Sequence, residues 1–129
     1  GNELTFQMNH LGHFLLTKLV LDKLLAQDSA RIINLSSAAH KIGKLDFSDL
    51  MIEARYGAFK AYGNSKLCYI YFTQLQVHLA TEQGVDDMSG QYFVKKKVAG
   101  ISKHANDTIA RDKLWEVSEE MVAKYVPAE

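Results

Sequence analysis

The sequence predicts an α/β fold, and three observations carry that expectation. Apolar residues recur at helical spacing from Glu3 to Leu25; a β-branched run, "RIINLSS", closes on small polar residues; and a second long amphipathic stretch runs from about Phe59 to Thr81. Helix, strand, helix is an order that builds an α/β layer. A chain of 129 residues, 47% of them apolar, can fill one core and is too short for two domains.

In the first helix, residues 3–25, the expected apolar stripe is Leu4, Met8, Leu11, Leu15 and Leu19, widened by Phe14, Leu21, Leu24 and Leu25, with Asn2 as N-cap. "QDSA" breaks the pattern, and Arg31–Leu35 reads as a buried strand. Residues 38–58 mix charges with single apolar side chains and read as a long loop with one helical turn around Phe47–Ile52, a length that often carries function. The second helix, residues 59–81, puts Leu67, Ile70, Phe72, Leu75 and Leu79 on its apolar side and stops at Gly84. "SGQYFVKK" reads as a short strand and "KKVAGISKHAND" as a polar, mobile connection. The last helix, Thr108–Tyr125, has Leu114, Trp115, Val117, Met121 and Val122 as its apolar residues, with Leu114, Trp115 and Met121 expected to pack against the sheet, and ends at the only proline, Pro127. There are no internal repeats.

Composition narrows the function classes. Fifteen basic against fifteen acidic residues leave no net charge to attract nucleic acid, an anionic membrane or an acidic partner. The local run Lys95, Lys96, Lys97 and Lys103 reads as a solvated face without a stacking platform. The single Cys68 cannot close an internal disulfide, has the features of a small core residue and points to a reducing, intracellular setting. The longest apolar patch, "HFLLTKLVLDKLLA", is interrupted by Lys18, Asp22 and Lys23, well short of the roughly 20 residues of a membrane span. No leader peptide is read, and the start "GNELTF" suggests an excerpt. His10 and His13, spaced i,i+3, with His40 elsewhere, lack a carboxylate partner or a third ligand of clear geometry; His10 and His13, among apolar helical residues, read as packed core groups, and no metal is expected.

The candidate chemistry begins with tyrosine followed four places later by lysine. On a helix an ammonium close to a phenol favours phenolate and suits the tyrosine to general acid/base work. The spacing alone does not choose, because Tyr56–Lys60, Tyr62–Lys66 and Tyr92–Lys96 all have it. Tyr62 and Lys66 open a long helix, and the small Gly63, Asn64 and Ser65 between them leave room for something to approach. Tyr56 lies in the loop, and an extended "QYFVKK" would hold Tyr92 and Lys96 roughly 13 Å apart. Ser36 and Ser37 at the strand end either simply terminate it or stand at the carboxyl edge where α/β folds bind ligands. Asn9, a polar amide among apolar positions, is either a structural bridge or part of a site. Gly12 hints at close packing nearby.

"NHLGHFLLT", "RIINLSSAAHKIGKLDFSDL" and "AYGNSKLCYIYFTQL" together resemble successive blocks of the short-chain dehydrogenase/reductase family, in its retinol dehydrogenase branch. "SGQYF" and "ARDKLWEVSEEMV" resemble that branch's closing strand and terminal helix. The resemblance implies a Rossmann-like, doubly wound parallel sheet in three layers. The chain would supply part of it, mostly helical: residues 1–84 as the catalytic helix-strand-helix segment and 89–126 as the C-terminal strand and helix. It further implies that Tyr62 is the general acid/base and that Lys66 lowers its pKa and holds the nicotinamide ribose, so that both bind cofactor. Ser37, the second of the serine pair, would hydrogen-bond the substrate oxygen, and Asn9 would hold a water on the proton relay through Lys66. The implied cofactor is NADP or NAD. The implied substrate is a small hydrophobic alcohol or aldehyde, and the implied location is the cytoplasm or the cytosolic face of the endoplasmic reticulum.

Two family features have no counterpart in the sequence: the Gly-rich turn that receives the cofactor pyrophosphate, and the strand and substrate-covering segment expected after "HLATEQGV". A hydride donor must sit within about 3–3.5 Å of the reacting carbon, so the chain on its own is expected to be inactive. The alternative expectation is a non-catalytic module that pairs with itself or a relative through helices 3–25 and 59–81.

Overall fold

The computed structural model describes residues 1–28, 30–80 and 90–127, together with the side chains of these residues except 77–80. The chain opens with α1 (Leu4–Phe6), a π-helical turn (Gln7–Leu11) and α2 (Gly12–Leu25), joined end to end. Glu3, not Asn2, caps the start: its carboxylate accepts from the Thr5 and Phe6 amides at 3.0 and 2.7 Å, satisfying donors that have no carbonyl below them. Asn2 instead donates to Gln7 Oε1 at 2.7 Å.

The buried face of this first helix also differs from the leucine stripe. Phe6, His10, Leu11 and Phe14 are buried, whereas Leu4, Met8 and Leu19 are 69, 62 and 46% exposed. A π turn spends one residue more than an α turn, so positions on either side of it that would share an α-helical face do not. Gly12 meets no tight neighbour; an added Cβ would lie 3.4 Å from Gln7 O.

The expected strand Arg31–Leu35 is not a strand. A strand exists only through backbone pairing, and no described strand lies beside this segment. Ile33 and Leu35 are 78 and 77% exposed. The segment is held by side chains: Asn34 donates to Thr73 Oγ1 and Gln76 Oε1 at 2.8 and 2.7 Å, and Ser36 Oγ donates to Lys66 O at 2.8 Å. An open groove of about 1020 Å³ runs beside it, walled by residues that include Leu21, Leu24, Ile32, Ile33 and Phe93.

In the loop that follows, the helical turn falls at Ala38–Ile42, as a 3-10 turn capped by Ser37, rather than at Phe47–Ile52. There the chain makes two hydrogen-bonded turns instead, Asp49 N–H to Asp46 O and Ile52 N–H to Asp49 O.

The second helix forms as expected, α3 (Ala58–Ala80), and is the axis of the core. Six consecutive residues, Leu67 to Phe72, are buried, so it is wrapped on nearly all sides. The expected stop at Gly84 and the packing of Leu79 lie outside the described residues. Cys68 is fully buried, and burial pushes its thiol far up.

The connection read as polar and irregular carries a hairpin and a 3-10 turn. β1 (Phe93–Val94) turns back at Lys95 and Lys96 into β2 (Lys97–Val98), pairing Phe93 with Val98 and Val94 with Lys97. The chain thus reverses where an extended run was expected, at two non-glycine residues with φ of 49° and 65°. A 3-10 turn (His104–Asn106) then docks on α3: Tyr71 donates its hydroxyl to His104 O and Gln74 Nε2 donates to Ala105 O at 3.2 Å. Burial, with Asp107 nearby, pushes the Tyr71 hydroxyl up to about 12. Asp107 caps α4 (Thr108–Val122) by accepting from the Ala110 amide at 3.0 Å, and a last 3-10 turn (Ala123–Tyr125) follows. Trp115 packs on helices, not on the sheet: its ring lies 4.8 Å from Phe14 and 6.2 Å from Phe72.

Candidate active site

The first turns of α3 bring Tyr62 and Lys66 to one face, as i,i+4 spacing requires. Tyr62 is 40% exposed, and its hydroxyl has no hydrogen-bond partner among the described residues. Lys66 Nζ lies 5.5 Å from the Tyr62 ring centroid and 4.9 Å from that of Tyr69, and donates to Leu35 O at 3.0 Å. Three contacts therefore fix the ammonium, while two of its three protons have no protein acceptor among the described residues.

The three small residues between Tyr62 and Lys66 do not leave open space. Gly63 lies against residues 39–43, where a Cβ would stand 2.8 Å from Ile42 Cγ1 and 3.1 Å from Ala39 O. Asn64 Oδ1 accepts from the Lys44 amide at 2.9 Å. Ser65 is fully buried, donates to Tyr62 O at 2.8 Å and accepts from Asn9 Nδ2 at 3.1 Å. What approaches this stretch is the protein's own backbone and the π turn of the first helix.

Asn9 is thus a bridge from that turn to α3, and its Oδ1 has no described partner. Ser37 is half-buried and extended, with Oγ accepting from the Ala39 amide at 3.2 Å. No hydrogen bond links its hydroxyl to Tyr62 or Lys66; it is tied to α3 through its neighbours Ser36, Leu35 and Gly43. The structure brings Asn9, Tyr62 and Lys66 into one cluster and sets Ser37 on the adjoining segment. None of the four lines the apolar groove.

Sequence reasoning missed Ser65, Gly43 and His40. Gly43 is the closest approach in the site, where a Cβ would fall 2.5 Å from Gly63 O. His40 is fully buried, with both ring nitrogens engaged, Nδ1 at 2.7 Å from Ser37 O and Nε2 at 3.3 Å from the Ser102 amide. His10 is likewise a core residue, with Nε2 2.7 Å from Ser118 Oγ, and burial, with His13 nearby, lowers its pKa to about 3; His13, expected to be packed as well, is exposed instead. Among the described residues no three His, Cys, Asp or Glu side chains group as metal ligands, and no helix is long and apolar enough to cross a membrane.

The first turns of α3 thus hold a partly exposed tyrosine with a lysine ammonium over its ring, on a helix of an α/β chain. The chain is 31% identical to retinol dehydrogenase 12 of Homo sapiens and of Mus musculus, over 95% of its own length and 55% of theirs. It is 55% identical to human retinol dehydrogenase 13 over 57% of this chain and 23% of that one. A crystal structure of an uncharacterized protein from Mycobacterium paratuberculosis superposes with a TM-score of 0.78 at 27% identity, covering 95% of this chain and 60% of the other. Over 95% of its length the chain is thus similar to retinol dehydrogenases of the short-chain dehydrogenase/reductase family, and its fold is the corresponding part of a Rossmann-like α/β domain. It spans about half the length of the curated relatives it matches. No family model matches the chain.

Proposed function

We propose that the chain supplies the proton-transfer half of an NAD(P)-linked oxidoreductase site that interconverts a hydrophobic alcohol and its aldehyde, with NADP(H) as the preferred nucleotide. The observation that carries the reading is the thrice-held Lys66 ammonium 5.5 Å from the ring centroid of Tyr62, whose hydroxyl has no hydrogen-bond partner among the described residues. Tyr62 gives a proton to the carbonyl oxygen in reduction and takes it back in oxidation. Lys66 keeps positive charge beside the phenol and has two N–H groups left for a ribose diol. Ser37 Oγ orients the substrate oxygen, and Asn9 Oδ1 holds a water from which Lys66 is resupplied with protons. These residues fit the ribose and nicotinamide end of the cofactor, which when bound supplies or accepts the hydride; nothing in the sequence offers a Gly-rich turn for its pyrophosphate. The 129-residue chain by itself is accordingly expected not to turn over.

Two assays test this. Purified chain given NADPH and all-trans-retinal should show no reduction; measurable turnover would overturn the inactivity. A chimera of human retinol dehydrogenase 13, with its homologous stretch replaced by residues 1–80 of this chain, should reduce retinal. Tyr62→Phe should lower its kcat by about 10²-fold or more. Full activity of that variant would remove the proton-transfer reading.

One observation favours a second reading, a pairing module. Leu4, Met8, Leu16 and Leu19 are exposed apolar side chains on the first helix. The buried middle of α3 is not available for such pairing. Sedimentation of Leu16→Glu beside the parent chain decides it: a dimer that dissociates in the variant supports the module.

A further inference from the structure

His40 has no part in the chemistry above, yet it is completely buried and both of its ring nitrogens are committed. Nδ1 stands 2.7 Å from the carbonyl oxygen of Ser37, a group that can only accept. Nε2 stands 3.3 Å from the backbone amide of Ser102, a group that can only donate. The two partners together allow one form of the ring, neutral and protonated on Nδ1. The Ser37 carbonyl is held twice, by the His40 backbone amide at 3.0 Å and by this ring, which fixes the peptide plane following Ser37. From that fixed plane the Ser37 hydroxyl caps the Ala38–Ile42 turn through the Ala39 amide. The other end of the imidazole is anchored 62 residues away in sequence, and its flank is covered by the Tyr92 ring at 5.1 Å. Ser102 in turn receives the Ala105 amide on its carbonyl and on its hydroxyl, at the start of the turn that docks on α3.

We propose that His40 is the positioning residue for Ser37, a neutral Nδ1–H imidazole through which the C-terminal segment, at Ser102 and Tyr92, sets where the serine hydroxyl points. This rests on the reading of Ser37 as the serine that meets the substrate oxygen. The C-terminal segment therefore contributes to the site without touching it.

The test uses the full chain. A two-bond nitrogen–proton NMR spectrum of ¹⁵N-histidine-labelled protein should show His40 protonated on Nδ1 and bare on Nε2; the opposite tautomer would overturn the proposal without any substitution. In His40→Ala, amide exchange at both Ala39 and Ser102 should accelerate about tenfold. His40→Asn places an N–H near the Nδ1 position and should restore protection at Ala39 alone. His40→Gln reaches further and should restore it at Ser102 alone. A histidine that merely fills space would shift both amides together in every variant, and that result would overturn the proposal. The reading of Ser37 is separable: Ser37→Ala with undiminished kcat in the chimera removes its catalytic role, while the two half-rescues would still establish the hold of His40 on its backbone.

Discussion

Asn9 and Ser65, 56 residues apart in sequence, are joined by a 3.1 Å hydrogen bond that locks the π turn of the first helix to the helix carrying Tyr62 and Lys66. The serine passes the link on by donating to the Tyr62 carbonyl at 2.8 Å. Ser65→Ala removes both bonds in a fully buried position and should cost about 1–2 kcal/mol. Asn9→Ala should cost less, because Asn9 is only half-buried and the Ser65–Tyr62 bond survives. Urea unfolding of the two variants checks the order; equal losses would mean that Ser65 acts through Asn9 alone.

Gly43 and Gly63 form the tightest contact near the site. Gly43→Ala would place a methyl 2.5 Å from Gly63 O and 2.9 Å from Leu67 Cβ, and backbone must move to admit it. Its φ of −68° is ordinary, so the loss of about 1–3 kcal/mol is steric alone. Gly63→Ala first meets Ile42 Cγ1 at 2.8 Å, on a 62% exposed side chain that can turn aside, leaves a milder 3.1 Å contact with Ala39 O, and gains about 1 kcal/mol of helix propensity. The milder effect should therefore fall on Gly63, and the reverse ranking in thermal denaturation would contradict the packing.

His10 makes stability acid-sensitive. Its folded pKa of about 3 lies below the 6.5 of the free imidazole, because burial among Phe6, Phe14 and Phe72 opposes charge. The unfolded chain binds the proton first, so this contribution is complete above about pH 6.5 and is lost as pH falls toward 3, at up to about 1.4 kcal/mol per pH unit. His10 Nδ1 has no partner among the described residues, and Ser118 Oγ, which loses His10 Nε2, keeps its bond to Leu114 O, so His10→Leu should keep most of the stability at neutral pH and flatten the slope by one proton. Unfolding free energies at pH 7.5, 6 and 5 for both chains read this directly; parallel curves would exclude His10 as the source.

The hairpin turn carries lysines where glycine or asparagine is favoured, both in left-handed backbone. Lys95→Asn with Lys96→Gly should stabilise the hairpin by about 1 kcal/mol. The amide of Ala99, which closes the hairpin on Tyr92 O at 2.8 Å, should then exchange about fivefold more slowly. Unchanged exchange would show that the turn does not limit hairpin opening.

The helices could be read from the sequence because their signals are local. Ala58–Ala80 is expected as 59–81, and the start of the last helix at Thr108 follows from its apolar periodicity. Arg31–Leu35 failed because β-branched residues report a preference, whereas a strand needs a neighbour that no window of sequence contains. The first helix was placed correctly, and Leu11, Phe14 and the packed His10 are buried as expected, but Leu4, Met8 and Leu19 are exposed and Phe6 is buried, since counting leucines cannot register the extra residue of a π turn. In the site, the shared face of Tyr62 and Lys66 was legible from their spacing. The contacts of Ser65 and His40, 56 and 62 residues distant, were not, and nothing in "SSAAH" distinguishes a buried ring with two committed nitrogens from an exposed one.

The π turn at Gln7–Leu11 is a helix holding one residue more than its hydrogen bonds need. Removing a residue from it would let the ladder close as ordinary α-helix, leaving Phe14 and everything after it seated while swinging Asn9 away from Ser65. The junction behaves as a one-residue splice: whether the chain keeps the insertion decides whether the first helix reports to the site or only supports it.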